Sequence, residues 1–529
     1  MNELFYGDNL TIMQQMKKHS VDLIYLDPPF NSKQNYNLMY KTMTGKPVPE
    51  QAEAFCDTWE MDAQKEALAR NMPEIMRQHG IDHYYIQFWN LWIKALQNTQ
   101  PHLLAYLIYM VERLIWMKSL LRPTGSIFLH CDPTASHYIK IMMDGIFGHS
   151  NFKNEIIWKR TTAHSDAKKG FGSIHDVILF YAASSKFKWN PVYQPYSDEY
   201  INQRYKRTDS DGRRWMDDNI TAKGLSGGGY EYEYKGASNL WRVPLEKMKE
   251  LDEQNKLYFT NTGGIRIKRY LDEMKGVPIG DVWTDINPLN SQAKNRLGYP
   301  TQKPIELLKR IIEVSTNPGD VVFDPFCGCG TSIYAAIELG REWKGCDIAI
   351  LAIKLIKEIL LEKYRLSEGT NFTIDGIPVS VEQAETLFQK DKHQFQHWLI
   401  ERAGGFPTQK KTADRGVDGR LYFECGKNLN EMVLSVKGGH IKPADVRDLR
   451  GVLEREDNAL LAGFLSLKEP TKAMLTEAAS AGIYEYNGVQ YPRIQLLTVK
   501  DILVDHKTFH TPSKIGTKLS TGQGVLALS

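Results

Sequence analysis

Cysteine is scarce. The 529 residues carry six, Cys56, Cys131, Cys327, Cys329, Cys346 and Cys425, with no Cys-x-x-Cys pair. That spacing argues against a zinc ribbon and gives no sign of a disulfide framework. Long apolar runs are lacking as well, and no stretch reaches the roughly 20 residues of a membrane-spanning helix. The first eight residues, Met1 to Asp8, have no basic start leading into an apolar core, so no secretion signal and no membrane partner are expected, and the location expected is cytoplasmic. Charge of one sign is also missing: 66 Lys and Arg against 63 Asp and Glu leave a net +3. Bulk charge therefore does not call for a nucleic-acid partner, and local patches must carry any such argument. What remains is an ordinary soluble composition, 42% hydrophobic, long enough for several cores.

Of what is present, the short apolar β run Val21–Leu26 stands out because it ends in Asp27-Pro28-Pro29-Phe30. Two successive prolines cannot continue a strand ladder, so the strand stops there. Neither proline has an N–H, so the turn offers acceptors only, the Asp27 carboxylate and the carbonyls of Asp27 and Pro28, with the aromatic face of Phe30 beside them. A planar amino group with two N–H donors on a flat ring suits that set. Asp-Pro-Pro also occurs as a rigid loop start, so a companion motif is needed. It lies at residues 320–332. There Val321 to Phe323 read as a buried strand, Gly328 and Gly330 permit a tight turn with close backbone approach, and Thr331 is placed to cap the next helix. A nicotinamide-cofactor fingerprint would need a third glycine where Ile333 stands. Asp347 closes the following strand, where an acid can bind ribose hydroxyls.

Together these motifs resemble the amino-group DNA methyltransferases, whose catalytic tetrapeptide is Asp, Asn or Ser followed by Pro-Pro and an aromatic residue. The resemblance covers residues 1–364 and follows the β-group order, catalytic turn before cofactor turn, with Thr301-Gln302-Lys303-Pro304 matching an element that precedes the cofactor loop. It implies an α/β fold, a doubly wound adenosylmethionine-dependent methyltransferase sheet. It further implies Asp27, Pro28, Pro29 and Phe30 as catalytic residues. Asp8, Lys303, Asp324, Phe326, Gly328, Gly330, Thr331 and Asp347 would form the S-adenosylmethionine site, with no metal in this part. Phe30 would stack on a base flipped out of double-stranded DNA, while Asp27 and the Pro28 carbonyl accept its two amine hydrogens. Lys303 would neutralise the methionine carboxylate. Asp8 is equally suited to capping its own helix, and Lys303 to the helix start at Pro304. The activity implied is methylation of adenine N6 in a restriction-modification or host-defence setting. Cytosine N4 is the alternative, although Ser-Pro-Pro is its commoner turn. An RNA or glutamine-amide substrate would leave the large insertion idle, and a decayed DNA-binding module would not need an intact Asp27 turn.

The rest of the chain is read around that frame. Residues 1–150 form the catalytic part, 151–299 the target-recognition region, 300–366 the cofactor-binding part, 367–379 a linker and 380–529 a further domain. Residues 31–82 read as a polar loop able to cover the site, and 84–121 as aromatic-rich helix, core or subunit contact, which makes a homodimer one candidate assembly. His130 is either a pocket residue or a satisfied structural histidine. The strands ending at Asp8, Asp27, Leu129, Asp324 and Asp347 should converge on one crevice, since an open α/β sheet binds ligands at that edge. Within 151–299, Lys159, Arg160, Lys168, Lys169, Arg204, Lys206, Arg207, Arg213, Arg214, Arg242, Arg266, Lys268 and Arg269 alternate with aromatics and glycine turns, a mixture suited to phosphate contact and base stacking. Asp209, Asp211, Asp217 and Asp218 dilute it. The last domain resembles the restriction-endonuclease-like α/β nucleases, with Asp418 and Lys437 at the expected strand ends. That resemblance implies a magnesium site at Asp418 and, if the domain cuts, a single-chain restriction-modification enzyme. Ser435 stands where an acid or glutamine is expected and Gln396 where related nucleases often carry an acid, and serine is a poor magnesium ligand.

Overall fold

The computed structural model describes residues 2–29, 59–162, 170–222, 228–289, 302–408, 416–426 and 428–512, with the backbone of short strands in 35–56 and 518–527. Phe30, Lys168, Lys169, Gly227, Thr301 and, those strand backbones apart, the part of the expected covering loop before residue 59 lie outside the described residues. By its contacts the chain divides into residues 191–280 and the remainder. No helix among the described residues is long and apolar enough to cross a membrane.

The larger unit is built on nine strands: β1 (Asn2–Tyr6), β2 (Val21–Leu26), β3 (Leu121–Cys131), β4 (Phe152–Lys159), β5 (His175–Ala182), β6 (Val282–Trp283), β7 (Val321–Asp324), β8 (Glu342–Asp347) and β9 (Phe372–Asp375). They lie in the order β6-β4-β5-β3-β2-β7-β8-β1-β9. From β3 to β9 every pairing is parallel, and β5 runs antiparallel to both β3 and β4. Strands covered on both faces read as continuous apolar runs, and all six residues of β2 are buried. One of them is Asp22. Its carboxylate accepts from Arg122 Nη1 at 2.7 Å, Lys188 Nζ at 3.0 Å and Val321 N at 3.0 Å, so a buried charge ties the starts of β2, β3 and β7 together.

Several boundaries differ from the sequence reading. Ala63–Gln78 is a helix rather than loop, capped by Asp62 and burying Ala69, Met72 and Met76. Its short apolar stripe is hidden by polar neighbours and by Pro73 inside it. Residues 84–121 are two helices, His83–Thr99 and Pro101–Leu120, broken at Pro101, which has no N–H to continue the first. Of residues 151–299, β4, β5 and β6 belong to the large sheet, and the separate unit begins only at Pro191. Inside the stretch read as a linker, β9 forms the sheet's edge beside β1.

Residues 191–280 have their own small core of Ile220, Trp241, Met248, Leu251, Leu257 and Ile265. A four-stranded sheet and a hairpin surround it, and the chain enters and leaves through a clasp in which Tyr193–Gln194 pairs antiparallel with Val277–Pro278. The C-terminal part carries a five-stranded sheet in the order Phe406–Pro407, Gly419–Cys425, Asn428–Lys437, Ala459–Ser466, Ile494–Thr498, antiparallel across the first three and parallel thereafter. Its helix Lys392–Arg402 reaches the carboxyl end of β1: a Cβ added at Gly7 would lie 2.9 Å from Gln394 Nε2.

Candidate active site

The carboxyl ends of β2, β7, β8 and β1 are neighbours in the sheet, so Asp27, Asp324, Asp347 and Asp8 meet at one edge although 339 positions separate the first acid from the last. They line a cavity of about 870 Å³ open to solvent, together with Tyr25, Pro29, Tyr109, Lys303, Phe326, Gly328 and Thr331. Four of the five expected strand ends converge there. Leu129 and His130 are not among the lining residues. His130 is fully buried beneath the cavity, with Nδ1 3.1 Å from Tyr25 Oη and Nε2 3.1 Å from Asp176 Oδ2. Burial would raise the Asp176 carboxyl, but the His130 bond and the nearby cations hold it below the usual range. His130 thus supports the cavity floor through Tyr25.

Asp27 follows β2 directly. Its Oδ2 accepts from Lys303 Nζ at 2.6 Å, and its Oδ1 is buried with no hydrogen-bond partner among the described residues. An unmet buried acceptor costs about 1–3 kcal/mol, so a donor arriving there recovers that cost. Pro28 is buried and Pro29 lines the cavity.

The turn from Asp324 to Thr331 is shaped from within. Asp324 Oδ1 accepts from Phe326 N at 3.0 Å and Oδ2 from Ser332 Oγ at 2.5 Å. Burial, aided by the charges of Asp27 and Asp347, pushes this carboxyl up to about 7 against those two bonds. Gly328 and Gly330 take φ values of 51° and 84°, and a Cβ at Gly330 would come within 2.8 Å of Ile356. Only glycine fits that backbone without strain. Gly330, not Thr331, is the cap residue, and Thr331 is the first residue of the helix Thr331–Glu338, with no side-chain cap. Asp347 accepts from Gly328 N and Ala349 N, each at 2.9 Å, and burial pushes it up to about 6. It therefore fixes the glycine turn as well as facing the cavity.

Asp8 caps its own helix and also lines the cavity. Its Oδ1 caps the helix Asn9–Gln15 through Leu10 N and Thr11 N, and its Oδ2 accepts from Arg113 Nη2 at 2.5 Å. Arg113 went unnoticed in sequence. It is buried, donates through Nε to Asn9 Oδ1 at 2.7 Å, and stacks 3.4 Å from the centre of the Tyr109 ring. Asn9 in turn donates to Pro325 O at 2.9 Å. One guanidinium thus links the β1 turn to the glycine turn. The available signal was a lone arginine in the apolar helix Pro101–Leu120.

Within residues 191–280 the cations are largely matched: Arg213 pairs with Asp272 and Glu273, Arg207 and Arg266 with Asp217, Lys268 with Asp209, and Arg269 with Asp218. In the C-terminal sheet Asp418 immediately precedes the strand Gly419–Cys425 and lies beside Ser435 of the neighbouring antiparallel strand, at whose end Lys437 is exposed. Both Asp418 oxygens already face donors: Gln396 Nε2 at 2.7 Å on Oδ1, Val436 N at 2.6 Å and Ser435 Oγ at 3.2 Å on Oδ2. Among the described residues no three His, Cys, Asp or Glu side chains are grouped to hold a metal. One carboxylate ringed by donors does not fit magnesium, which favours several oxygen ligands.

A glycine turn and acid-tipped parallel strands face the Asp27 turn across one cavity of an α/β protein. The DNA methylase family (N6_N4_Mtase) matches residues 21–358, and the chain belongs to that family. It is 33% identical over 287 residues to the type II methyltransferase M.EcaI of Enterobacter cloacae, covering 53% of this chain and 63% of that protein. It is 29% identical over 369 residues to the Mod subunit of the type III restriction-modification enzyme StyLTI of Salmonella typhimurium, covering 66% and 52%. The chain thus spans less than two thirds of the length of these two relatives. The solved PvuII DNA methyltransferase (cytosine-N4-specific) superposes over 70% of this chain and 88% of that one with 10% identity and a TM-score of 0.32, too loosely to carry an argument.

Proposed function

We propose that this chain transfers the methyl group of S-adenosylmethionine to an exocyclic amino nitrogen of a flipped-out base in double-stranded DNA, adenine N6 ahead of cytosine N4, in a restriction-modification setting. The observation that carries this reading is the buried, unpartnered Oδ1 of Asp27 beside the glycine turn of the family-matched region. The cavity suits the cofactor because Asp8, Asp27, Asp324 and Asp347 line it with carboxyl oxygens able to accept from the ammonium and hydroxyl groups of that ligand. That cofactor brings an electrophilic methyl group. The chain's part is to receive one amine N–H at Asp27 Oδ1 and the other at the Pro28 carbonyl, orienting the nitrogen lone pair before the bond forms. The aspartate at position 27, rather than serine, supports adenine. The test is nucleoside analysis of DNA from a methylation-free host expressing the chain: N6-methyladenine is expected, N4-methylcytosine would select the alternative, and neither would overturn the proposal.

Asp347→Ala is expected to weaken S-adenosylmethionine binding at least tenfold, since a hydrogen bond to a charged group contributes about 1.5–3 kcal/mol and Asp347 also holds Gly328. Calorimetric titration checks this, and an unchanged dissociation constant would remove Asp347 from the cofactor site.

Target recognition is proposed for residues 191–280. Since most of the cations there are matched, support comes from a polar hollow lined by Asn219, Asn239, Thr260 and Arg266, residue types that read base edges. The C-terminal sheet is proposed as a restriction-endonuclease-like domain that binds DNA without cutting it. Plasmid incubated with the protein and magnesium or manganese is expected to stay supercoiled. Nicking or linearisation that Lys437→Ala abolishes would instead make this a single-chain restriction-modification enzyme.

A further inference from the structure

The contact between Lys303 and Asp27 joins residues 276 positions apart and is mostly shielded from water, with side-chain exposures of 13% and 15%. Both ends are anchored. Asp27 sits between a fully buried strand and two prolines. Lys303 immediately precedes Pro304 and the helix Ile305–Ser315, whose Leu307, Leu308, Ile311 and Ile312 lie in the core. A partly buried charge-assisted bond of this length is strong and directional. It leaves the two carboxylate oxygens unequal, Oδ2 engaged and Oδ1 buried with no partner among the described residues.

An amino group with two N–H donors needs two fixed acceptors, and a carboxylate free to turn about its Cβ–Cγ bond could offer either oxygen at a range of angles. We propose that Lys303 is a positioning residue for the target amine: by holding Oδ2 it sets the carboxylate plane and leaves Oδ1 as the single oxygen presented to the base. This rests on the reading of Asp27 as the amine's acceptor. It differs from the role expected from the sequence, in which Lys303 meets the methionine carboxylate. The cation's place beside Asp27 also bears on what an amide would do at this position. An asparagine at residue 27 would turn its oxygen toward the ammonium and its NH₂ toward the base, presenting a donor where an acceptor is required. With the ammonium removed, the amide is free to turn over.

The test uses the full chain and four variants, Lys303→Met, Asp27→Asn, the double variant and Asp27→Ala, each checked by its melting curve. Two quantities are read: kcat for tritiated methyl transfer to unmethylated plasmid at saturating cofactor, and the calorimetric dissociation constant for S-adenosylhomocysteine, which retains the amino-acid carboxylate. Lys303→Met is expected to lower kcat at least tenfold with the dissociation constant within twofold of the parent. Adding Lys303→Met to Asp27→Asn is expected to raise kcat at least tenfold above Asp27→Asn alone. A dissociation constant raised tenfold or more, with or without loss of kcat, would make Lys303 a cofactor anchor and overturn the proposal, as would failure of the double variant to regain activity. Should Lys303→Met not fold, Lys303→Gln carries the same comparisons. Asp27→Ala separates the two readings: an inactive Asp27→Ala beside a fully active Lys303→Met rejects only the role of Lys303, whereas an active Asp27→Ala rejects the reading of Asp27 on which it rests.

Discussion

Asp27→Ala is expected to reduce methyl transfer by about a hundredfold to a thousandfold, the scale seen when one preorganised hydrogen-bonding group is removed from a reacting centre. The loss should fall on kcat, because the carboxylate is proposed to meet the amine and neither of its oxygens bonds to the glycine turn. The fold should hold. Removing Oδ1 takes away a buried acceptor with no partner, which offsets the cost of leaving Lys303 without its Asp27 bond. Tritium incorporation, with a urea unfolding curve alongside, checks both halves. Near-normal incorporation by a folded Asp27→Ala protein would end the assignment of this turn as the catalytic one.

Arg113→Met is expected to produce the largest loss of stability around the site. Breaking a buried pair by removing one partner costs about 3–5 kcal/mol. Asp8 keeps 28% exposure, so the lower end of that range applies. Methionine fills much of the volume under Tyr109 but cannot donate to Asp8 or Asn9, and Asn9 then holds the Pro325 carbonyl from a loosened position. A falling urea midpoint and a weaker cofactor titration should therefore appear together. If stability drops while cofactor affinity stays within twofold, the link from Arg113 to the glycine turn is structural only.

The large sheet was legible because its strands are short apolar runs ending in acids or glycine turns, a pattern that parallel strands under helices on both faces impose. The C-terminal elements were legible for a similar reason: Asp418 and Ser435 come together once the hairpin pairs in register. What was not legible depends on distance in space. The apolar spacing of residues 84–121 was visible, but nothing in it tells that Arg113 faces Asp8 across 105 positions. Lys303 lay in a recognisable element, yet its partner, Asp27, is 276 positions away. A count of cations in 151–299 could not reveal that Asp217 answers both Arg207 and Arg266. Ala63–Gln78 escaped because its packing face is three residues wide and a proline interrupts it.

The clasp between Tyr193–Gln194 and Val277–Pro278 also bears on how this chain can change over generations. Everything between those two short strands leaves from and returns to one place, and it carries its own core. Insertions, deletions or wholesale replacement inside that span alter the count of residues separating Asp27 from Lys303 without altering the distance between them, as domain insertion at adjacent chain ends allows. The part proposed to choose the DNA sequence can thus change without displacing the part proposed to perform the chemistry.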